Sequence, residues 1–71
     1  MKPEPITILA NGKEERVDLP CSVAEFVAAR GWKTTQVVVE RNGAVLGRTE
    51  LGGVMLAAGD RLEVIVPVAG G

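Results

Sequence analysis

The residues with the clearest chemical potential are the last two, Gly70 and Gly71, which end the apolar segment VPVAGG. Glycine has no Cβ, so such a backbone can pass a narrow channel and approach a reactive phosphate closely. An extended chain spans about 3.3–3.6 Å per residue, which lets residues 68–71 reach roughly 13 Å beyond a folded body. The sequence therefore predicts that Val68, Ala69 and Gly70 enter a partner's active site and present the α-carboxylate of Gly71 there.

Outside this tail, the residue types offer little for catalysis. The chain contains no histidine, the usual general base, and no G-x-S-x-G nucleophile motif or G-x-x-x-x-G-K-[ST] phosphate loop. The adjacent carboxylates Glu14 and Glu15 flank a predicted turn, where exposure to solvent explains them. With one cysteine and no histidine, no zinc or copper site is expected. The sequence predicts no catalytic residue, no metal site and no bound cofactor.

The single cysteine, Cys21, has two interpretations. A cysteine at a helix N-terminus can have a lowered pKa and be reactive. The alternative is a packing role, as the apolar residue opposite Phe26 in a hydrophobic staple at the helix start. The capping pattern accounts for Cys21 fully, so the packing role is favoured.

Length and composition indicate one small domain held by packing. The 71 residues are 46% hydrophobic, and a single cysteine excludes an internal disulfide. Eight basic and nine acidic residues are scattered without a basic run, which argues against nucleic-acid binding. The chain lacks a signal-peptide core and any run near the roughly 20 apolar residues of a membrane span. No membrane partner is therefore expected, and a cytoplasmic location is the default.

The tail must be positioned by the elements before it, and the first of these is a β-hairpin. Residues 1–5, MKPEP, contain two prolines and are predicted to be a disordered lead. ITIL and RVDL alternate apolar and polar residues on either side of Asn11-Gly12, a pair that tolerates the positive φ of a tight turn. The two segments are predicted to form antiparallel strands.

A helix is predicted from Ser22 to Arg30. Ser22 is a suitable N-cap, Glu25 three residues later completes a capping box, and Gly31 can close the helix in a left-handed conformation. Apolar residues recur at i, i+3 and i+4 and form one stripe, consisting of Val23, Phe26 and Val27.

The second half of the chain predicts further strands. QVVVERNGAVLGR indicates two of them around Asn42-Gly43, TELGGVMLAAG is mostly irregular with at most one helical turn, and DRLEVIVPV contains the last strand. One helix across one mixed sheet of four to five strands buries the apolar faces most simply, with a right-handed crossover. The predicted fold is α+β of the ubiquitin-like β-grasp type, as one domain over residues 1–71.

The last strand predicts both the start of the tail and a partner surface. Val66 is expected to share the buried face of the strand, whereas Ile65 and Pro67 lie on the less buried face and are the expected partner contacts. Pro67 lacks an amide hydrogen and should end the strand pairing, which leaves residues 67–71 as an extended tail. Other apolar residues are ambiguous between a satellite core and an exposed surface, with the core favoured for most of them: Trp32, Leu51, Val54, Met55 and Leu56.

Four segments resemble the prokaryotic sulfur carriers, and most closely the thiamine-biosynthesis carriers of the ThiS family: ITILANGK, SVAEFVAARG, VVVERNGAVLGR and GDRLEVIVPVAGG. The resemblance covers nearly the whole chain. Val39–Gly43 followed by Arg48 is the portion most suggestive of the thiamine branch. The Gly-Gly end is shared with the small subunit of molybdopterin synthase and with ubiquitin-like modifiers. Many thiamine carriers have a tryptophan or a similar bulky residue after this arginine, whereas here Thr49, Glu50 and Leu51 follow.

The resemblance implies that Gly71 carries sulfur. A partner activating enzyme (ThiF-like) would use ATP and magnesium to form a Gly71 acyl-adenylate, and a sulfur donor, often a persulfide on another protein, would displace AMP. The resulting Gly71 thiocarboxylate would deliver sulfur to a thiazole synthase (ThiG-like) for thiazole formation in thiamine biosynthesis. The chain itself is then a protein substrate and not an enzyme.

Three alternatives remain open at this point. A small subunit of molybdopterin synthase uses the same thiocarboxylate chemistry. A ubiquitin-like protein modifier would instead join Gly71 to a lysine amine of a target. A plain ubiquitin-like binding module with an inert tail would need neither reaction, because fold alone does not determine function.

Overall fold

The computed structural model describes residues 4–67. In this part of the chain five strands form one mixed sheet, and one α-helix covers one face of it. The elements are β1 (Glu4–Ala10), β2 (Lys13–Leu19), α1 (Val23–Ala29), β3 (Val38–Arg41), β4 (Ala44–Leu46) and β5 (Arg61–Ile65), with a 3₁₀ turn at Arg48–Glu50. The strand order is β2-β1-β5-β3-β4. β1 and β5 are parallel and the other pairs are antiparallel, which confirms the predicted ubiquitin-like β-grasp arrangement.

Both Asn-Gly pairs form the predicted two-residue turns. Asn11 and Asn42 each have a φ of 52°, and the glycines that follow, Gly12 and Gly43, have φ values of 78° and 87°. Two consecutive positive φ angles match the right-handed twist of the flanking strands. The turns therefore set the register of the β1–β2 and β3–β4 hairpins from local stereochemistry alone.

β1 begins at Glu4, so the disordered lead predicted over residues 1–5 is too long; residues 1–3 lie outside the described part. The Leu9 amide donates to the Asp60 carbonyl on the β5 side, and alternate residues of a strand point their amides to the same side. The nitrogen of Pro5 therefore faces the β5 side, where β1 pairs only at Leu9 and Ala10. The missing amide hydrogen of Pro5 therefore removes no hydrogen bond between β1 and β2. A strand tolerates proline where its nitrogen does not face a paired strand.

The helix begins and ends at the residues that the sequence indicates. Ser22 is the N-cap: its Oγ accepts from the Glu25 amide at 3.0 Å, and the Glu25 carboxylate accepts from the Ser22 amide at 2.9 Å. Gly31, directly after the C-cap Arg30, has a φ of 89°. The predicted capping box and the left-handed closure are confirmed.

The segment between β4 and β5 is more than a connection, because it covers the N-terminus of α1. The carbonyl of Val54 accepts from the Val23 amide, and the carbonyl of Leu51 accepts from the Ala24 amide, both at 2.9 Å. Leu51 and Leu56 are buried, Val54 and Trp32 pack partly against the core, and Met55 is exposed. Four of the five ambiguous apolar residues therefore belong to the core or its margin, as favoured from the sequence.

A single hydrophobic cluster joins the helix, the inner face of the sheet and the long loop. The strands contribute alternate residues, since each strand has one face toward the helix. The buried members are Ile8, Ala10, Val17, Val23, Phe26, Val27, Val37, Val39, Leu51, Leu56, Leu62 and Val64. β5 supplies Leu62 and Val64 from the middle of the sheet, which anchors the strand that leads to the C-terminal segment.

Asp60, immediately before β5, is a buried carboxylate that ties the β3–β4 hairpin to this strand. Its Oδ2 accepts from the Ala57 amide at 2.8 Å and from Arg41 Nε at 3.0 Å, and its Oδ1 accepts from Asn42 Nδ2 at 3.1 Å. Burial raises the pKa of the Asp60 carboxyl, but these hydrogen bonds and the charge of Arg41 outweigh burial and hold the pKa below its ordinary value.

Asp60→Asn is expected to lower the free energy of unfolding near neutral pH by about 1–3 kcal/mol, because a neutral amide loses the charge-assisted bonds and one acceptor. The folded pKa lies below the unfolded one, so this contribution is present above the unfolded pKa and disappears as pH falls through the folded pKa. The stability difference between wild type and Asp60→Asn should therefore shrink as the pH falls below the ordinary carboxyl pKa of 3.8. Urea unfolding followed by Trp32 fluorescence measures it, and a constant difference would contradict the assignment.

Candidate functional site

Some of the predicted site residues lie within residues 4–67, and the others lie beyond Pro67, the last residue that the structure describes. Gly71 and the predicted tail residues Val68, Ala69 and Gly70 lie outside the described residues. Ile65 and Pro67 lie inside them, and both are exposed. The structure therefore describes the end of the last strand, from which the tail starts, and the surface around it.

The strand that leads to the tail ends earlier than the sequence pattern indicates. β5 ends at Ile65, and Val66 is 50% exposed, so the prediction that Val66 belongs to the buried face is wrong. The pairing between β5 and β3 ends where β3 begins, at Val38 opposite Ile65. By alternation the amides of Arg61, Glu63 and Ile65 face β3, so Pro67, which has no amide hydrogen, is the position where the next bond to the β3 side is missing.

Beside this strand end lies an exposed apolar surface, the outer patch, formed by Val38, Val45 and Ile65. Val38 and Ile65 are cross-strand partners, and their side chains are 38% and 46% exposed. Val45 of the edge strand β4 is 64% exposed and lies opposite Glu40, two positions from Val38. Val38 and Ile65 adjoin the core residues Val39 and Val64, and Val45 is paired with Glu40 on the same sheet face as Val38, so all three face away from the helix. The structure confirms that Ile65 is exposed and adds two apolar neighbours.

Two carboxylates adjoin the outer patch. Glu40 on β3 and Glu63 on β5 are directly opposite each other, and neither takes part in an ion pair within residues 4–67. Like charges at directly opposed positions weaken strand pairing. The fold gains nothing from this pair, whereas a basic side chain of a docked protein would relieve the repulsion. The surface next to the tail is therefore apolar and acidic.

Val38 and Val45 were not predicted from the sequence to be surface residues. Three consecutive valines, Val37 to Val39, read as buried strand, yet alternation forces the middle one outward. The signal for Val38 was therefore available in the alternation. Its position opposite Ile65 was not, because cross-strand register between distant segments is a tertiary property.

Cys21 lies beside the helix start without the environment of a reactive thiol. Burial raises the pKa of the Cys21 thiol, the charge of Glu25 raises it further, and the charge of Arg30 opposes these effects only in part. The thiol packs against the core and contacts the Ser22 carbonyl at 3.4 Å. A raised pKa reduces the thiolate fraction that nucleophilic attack requires. These features support the packing interpretation of Cys21.

Within residues 4–67, no group of three or more histidine, cysteine or acidic residues is placed to hold a metal ion. The helix in the same part of the chain lacks the length and apolar character needed to cross a bilayer. What residues 4–67 provide is a scaffold, an exposed apolar and acidic surface, and an anchored last strand.

The comparisons with known proteins agree with this architecture and cover nearly the whole chain. The model of the ThiS family matches residues 4–71. The chain belongs to the ThiS family. The crystal structure of the thiamine biosynthesis protein ThiS from Geobacter metallireducens matches with a TM-score of 0.78 and 30% sequence identity, covering 93% of this chain and 100% of that one. The solution structure of a thiamine biosynthesis protein from the same organism gives a TM-score of 0.76 at 30% identity, covering 93% and 88% of the two chains. No curated protein matches the chain.

In this member of the ThiS family, the VERNG segment has a structural task. Arg41 bonds to Asp60, and the Asn42 side chain accepts from the Arg61 amide at 2.8 Å, so both residues hold the β3–β4 hairpin against the start of β5. Arg48, the arginine beyond the turn, opens the 3₁₀ turn. The VERNG segment, which was most suggestive of the thiamine branch, thus stabilises the contact between the β3–β4 hairpin and the strand that leads to the tail.

Proposed function

We propose that this ThiS-family protein is a sulfur carrier of thiamine biosynthesis, with Gly71 as the residue that carries the sulfur. The observation that carries the proposal is the extent of the family match, which runs to Gly71 and so includes the Gly-Gly pair. The likeness to a thiamine biosynthesis protein ThiS supports the thiamine branch over the small subunit of molybdopterin synthase.

The chemistry begins with activation of an unreactive group. A Gly71 carboxylate oxygen attacks the α-phosphorus of ATP in a partner adenylating enzyme that uses magnesium, pyrophosphate leaves, and an acyl-adenylate forms. The terminal sulfur of a donor persulfide then attacks the acyl carbon, and AMP leaves. A thiol cleaves the resulting acyl disulfide, which yields the Gly71 thiocarboxylate and a disulfide that includes the donor sulfur. Holding the sulfur on a docked tail raises its effective concentration at a thiazole synthase.

In this proposal the protein is a substrate, and its partners are the catalysts. The thiazole synthase accepts the sulfur, and the adenylating enzyme and persulfide donor supply the energy and the atom. The described residues support this role because they form a packed scaffold whose last strand leads toward Gly71. Localisation in the cytoplasm is proposed along with this function, since ATP and persulfide donors are available there.

Conversion of Gly71 is tested directly by mass spectrometry of the intact protein. After incubation with an adenylating enzyme of a thiamine sulfur carrier, ATP, magnesium and a persulfide donor, one oxygen should be replaced by sulfur, and fragmentation should place the sulfur on Gly71. Omission of ATP is the control and should leave the mass unchanged. An unmodified carboxylate under conditions that convert a known carrier would refute the proposal. Isopeptide linkage of Gly71 to lysine would instead indicate a protein modifier.

The outer patch is the proposed docking surface for the adenylating enzyme. It extends from the end of β5 across β3 to the edge strand β4, so a partner that holds it also holds the strand from which the tail starts. Val38, Val45 and Ile65 offer exposed apolar area, and Glu40 with Glu63 would accept a basic side chain. Apolar anchors at the centre of an interface usually carry most of the binding energy.

Ile65→Glu is expected to weaken binding to the adenylating enzyme at least about tenfold, because a buried carboxylate would replace an apolar anchor beside two existing acidic residues. Leu9→Glu is the matched control. Leu9 is 37% exposed on the same sheet face but lies opposite Arg61, at the start of β5 and away from the tail. Isothermal calorimetry gives both affinities, and equal losses for the two variants would contradict the assigned surface.

A further inference from the structure

We infer that Asn11 is a positioning residue, which sets the point where the C-terminal segment leaves the sheet. Asn11 lies in the turn between β1 and β2, yet its side chain contacts β5, 53 residues further along the chain. Its Oδ1 accepts from the Val64 amide at 2.7 Å, and its Nδ2 donates to the Val64 carbonyl at 3.3 Å. One side chain thus pairs both backbone groups of a single β5 residue.

The contact continues the parallel ladder beyond the end of β1. The Leu9 amide donates to the Asp60 carbonyl and the Asn11 amide to the Leu62 carbonyl, both at 2.9 Å. By alternation, the backbone groups of Val64 face the same side. β1 ends at Ala10 and turns away, so an amide side chain, with one donor and one acceptor, replaces the backbone that a longer β1 would have supplied.

The position of this contact links it to the tail. Val64 is the last buried residue of β5, and Ile65 and Val66 after it are 46% and 50% exposed. If the Asn11 side chain is removed, the end of β5 loses its hydrogen-bond partner on the β1 side. Ile65 and the residues after it can then separate from β3. A docked complex must then order one further residue, which is expected to slow productive adenylation about five- to thirty-fold. This consequence rests on the proposed function; the strand contact itself does not.

Asn42 provides a matched control at the other end of the same strand. It has the same φ of 52°, its amide donates to the Arg61 carbonyl, and its Oδ1 accepts from the Arg61 amide, both at 2.8 Å. Its Nδ2 also donates to Asp60 at 3.1 Å, so Asn42→Gly removes one hydrogen bond beyond those to Arg61 and is the stricter test of a general stability effect. β5 is therefore held near each end by a turn asparagine, from the β1 side at Val64 and from the β3 side at Arg61. Glycine at either turn position tolerates the positive φ, so Asn11→Gly and Asn42→Gly remove side chains without straining the turns.

The first measurement is amide hydrogen exchange by NMR in the full chain. Wild type and variants are compared under conditions that give them equal free energies of unfolding. Asn11→Gly should accelerate exchange of the Val64 amide about three- to tenfold and leave the Arg61 amide unchanged. Asn42→Gly should produce the reverse pattern. Asn11→Asp, which keeps the acceptor for the Val64 amide and loses the donor to its carbonyl, should restore part of the protection. A Val64 amide that stays protected in Asn11→Gly overturns the inference.

The second measurement is ATP–pyrophosphate exchange catalysed by the adenylating enzyme. Asn11→Gly should lower kcat/KM about five- to thirty-fold, because the docked complex must reorder the end of β5, which includes Ile65. Asn42→Gly should leave kcat/KM near the wild-type value. Equal losses in both variants would reduce Asn11 to a general stability residue and overturn the inference. If the wild-type protein is not adenylated at all, the proposed function fails, while the exchange pattern still decides whether Asn11 positions the strand end.

Discussion

Adding one residue after Gly71 is expected to lower the rate of adenylation at least about 100-fold, while the free energy of unfolding stays unchanged. The added peptide bond converts the Gly71 carboxylate, the proposed reacting group, into an amide, whose oxygen is a much weaker nucleophile toward ATP. The new terminal carboxylate lies about 3.3–3.6 Å further along an extended chain, and a misplacement of even about 1 Å can cost roughly 100-fold in rate. Pyrophosphate release measures the rate, and urea unfolding measures stability.

The matched control adds the same residue before Met1 and should behave as wild type in both assays. Stability is expected to be unaffected because, within residues 4–67, the last member of the buried cluster is Val64, well before the added residue. Full adenylation of the extended chain would show that Gly71 is not the reacting residue. Loss of stability in parallel with activity would instead mean that the tail contributes to the fold.

Leu62→Ala is expected to lower the free energy of unfolding by about 2–5 kcal/mol. Leu62 is 1% exposed on the central strand β5, where it is paired with Ala10 of β1 and Arg41 of β3. The transfer energy is lost and a cavity remains, since neighbouring strands on both sides limit collapse. A domain of this size has a total stability of about 4–10 kcal/mol, so this one substitution removes a large share of it.

Ile65→Ala is the matched control, because it truncates an aliphatic residue on the same strand whose side chain is 46% exposed. Its cost should stay below about 1 kcal/mol. The measurement is the urea midpoint at constant m-value, which separates a change in stability from a change in the surface exposed on unfolding. Similar costs for Leu62→Ala and Ile65→Ala would contradict the placement of Leu62 at the centre of the core.

Leu62 and Asp60 stabilise the position of β5, the strand that leads to the tail, whereas Gly71 in the tail is the proposed reacting residue. Asn11 and Ile65 lie between them, at the point where the last strand ends and the partner surface begins. A carrier of this kind needs a rigid body and a thin tail, so the residues that join the two determine how the carboxylate is presented.

Much of the fold was predictable from local sequence because its signals act over a few residues. The alternation in ITIL, the two Asn-Gly pairs and the Ser22–Glu25 capping box predicted two hairpins and the helix correctly. Each depends on side-chain direction, on the φ that a residue tolerates, or on hydrogen bonds within one turn. The composition of the Gly-Gly end likewise predicted the candidate for chemistry, Gly71, without any structure.

The tertiary structure alone decided how distant segments meet, because pairing between them depends on the whole arrangement of strands. It placed β5 between β1 and β3, ended that strand at Ile65, and brought Val38 beside Ile65 on the exposed face. It also turned the asparagines of both hairpins toward β5, where Asn11 pairs with Val64 across 53 residues. The sequence by itself determined the elements and the proposed reactive end. The packing determined where the tail begins and which surface lies beside it.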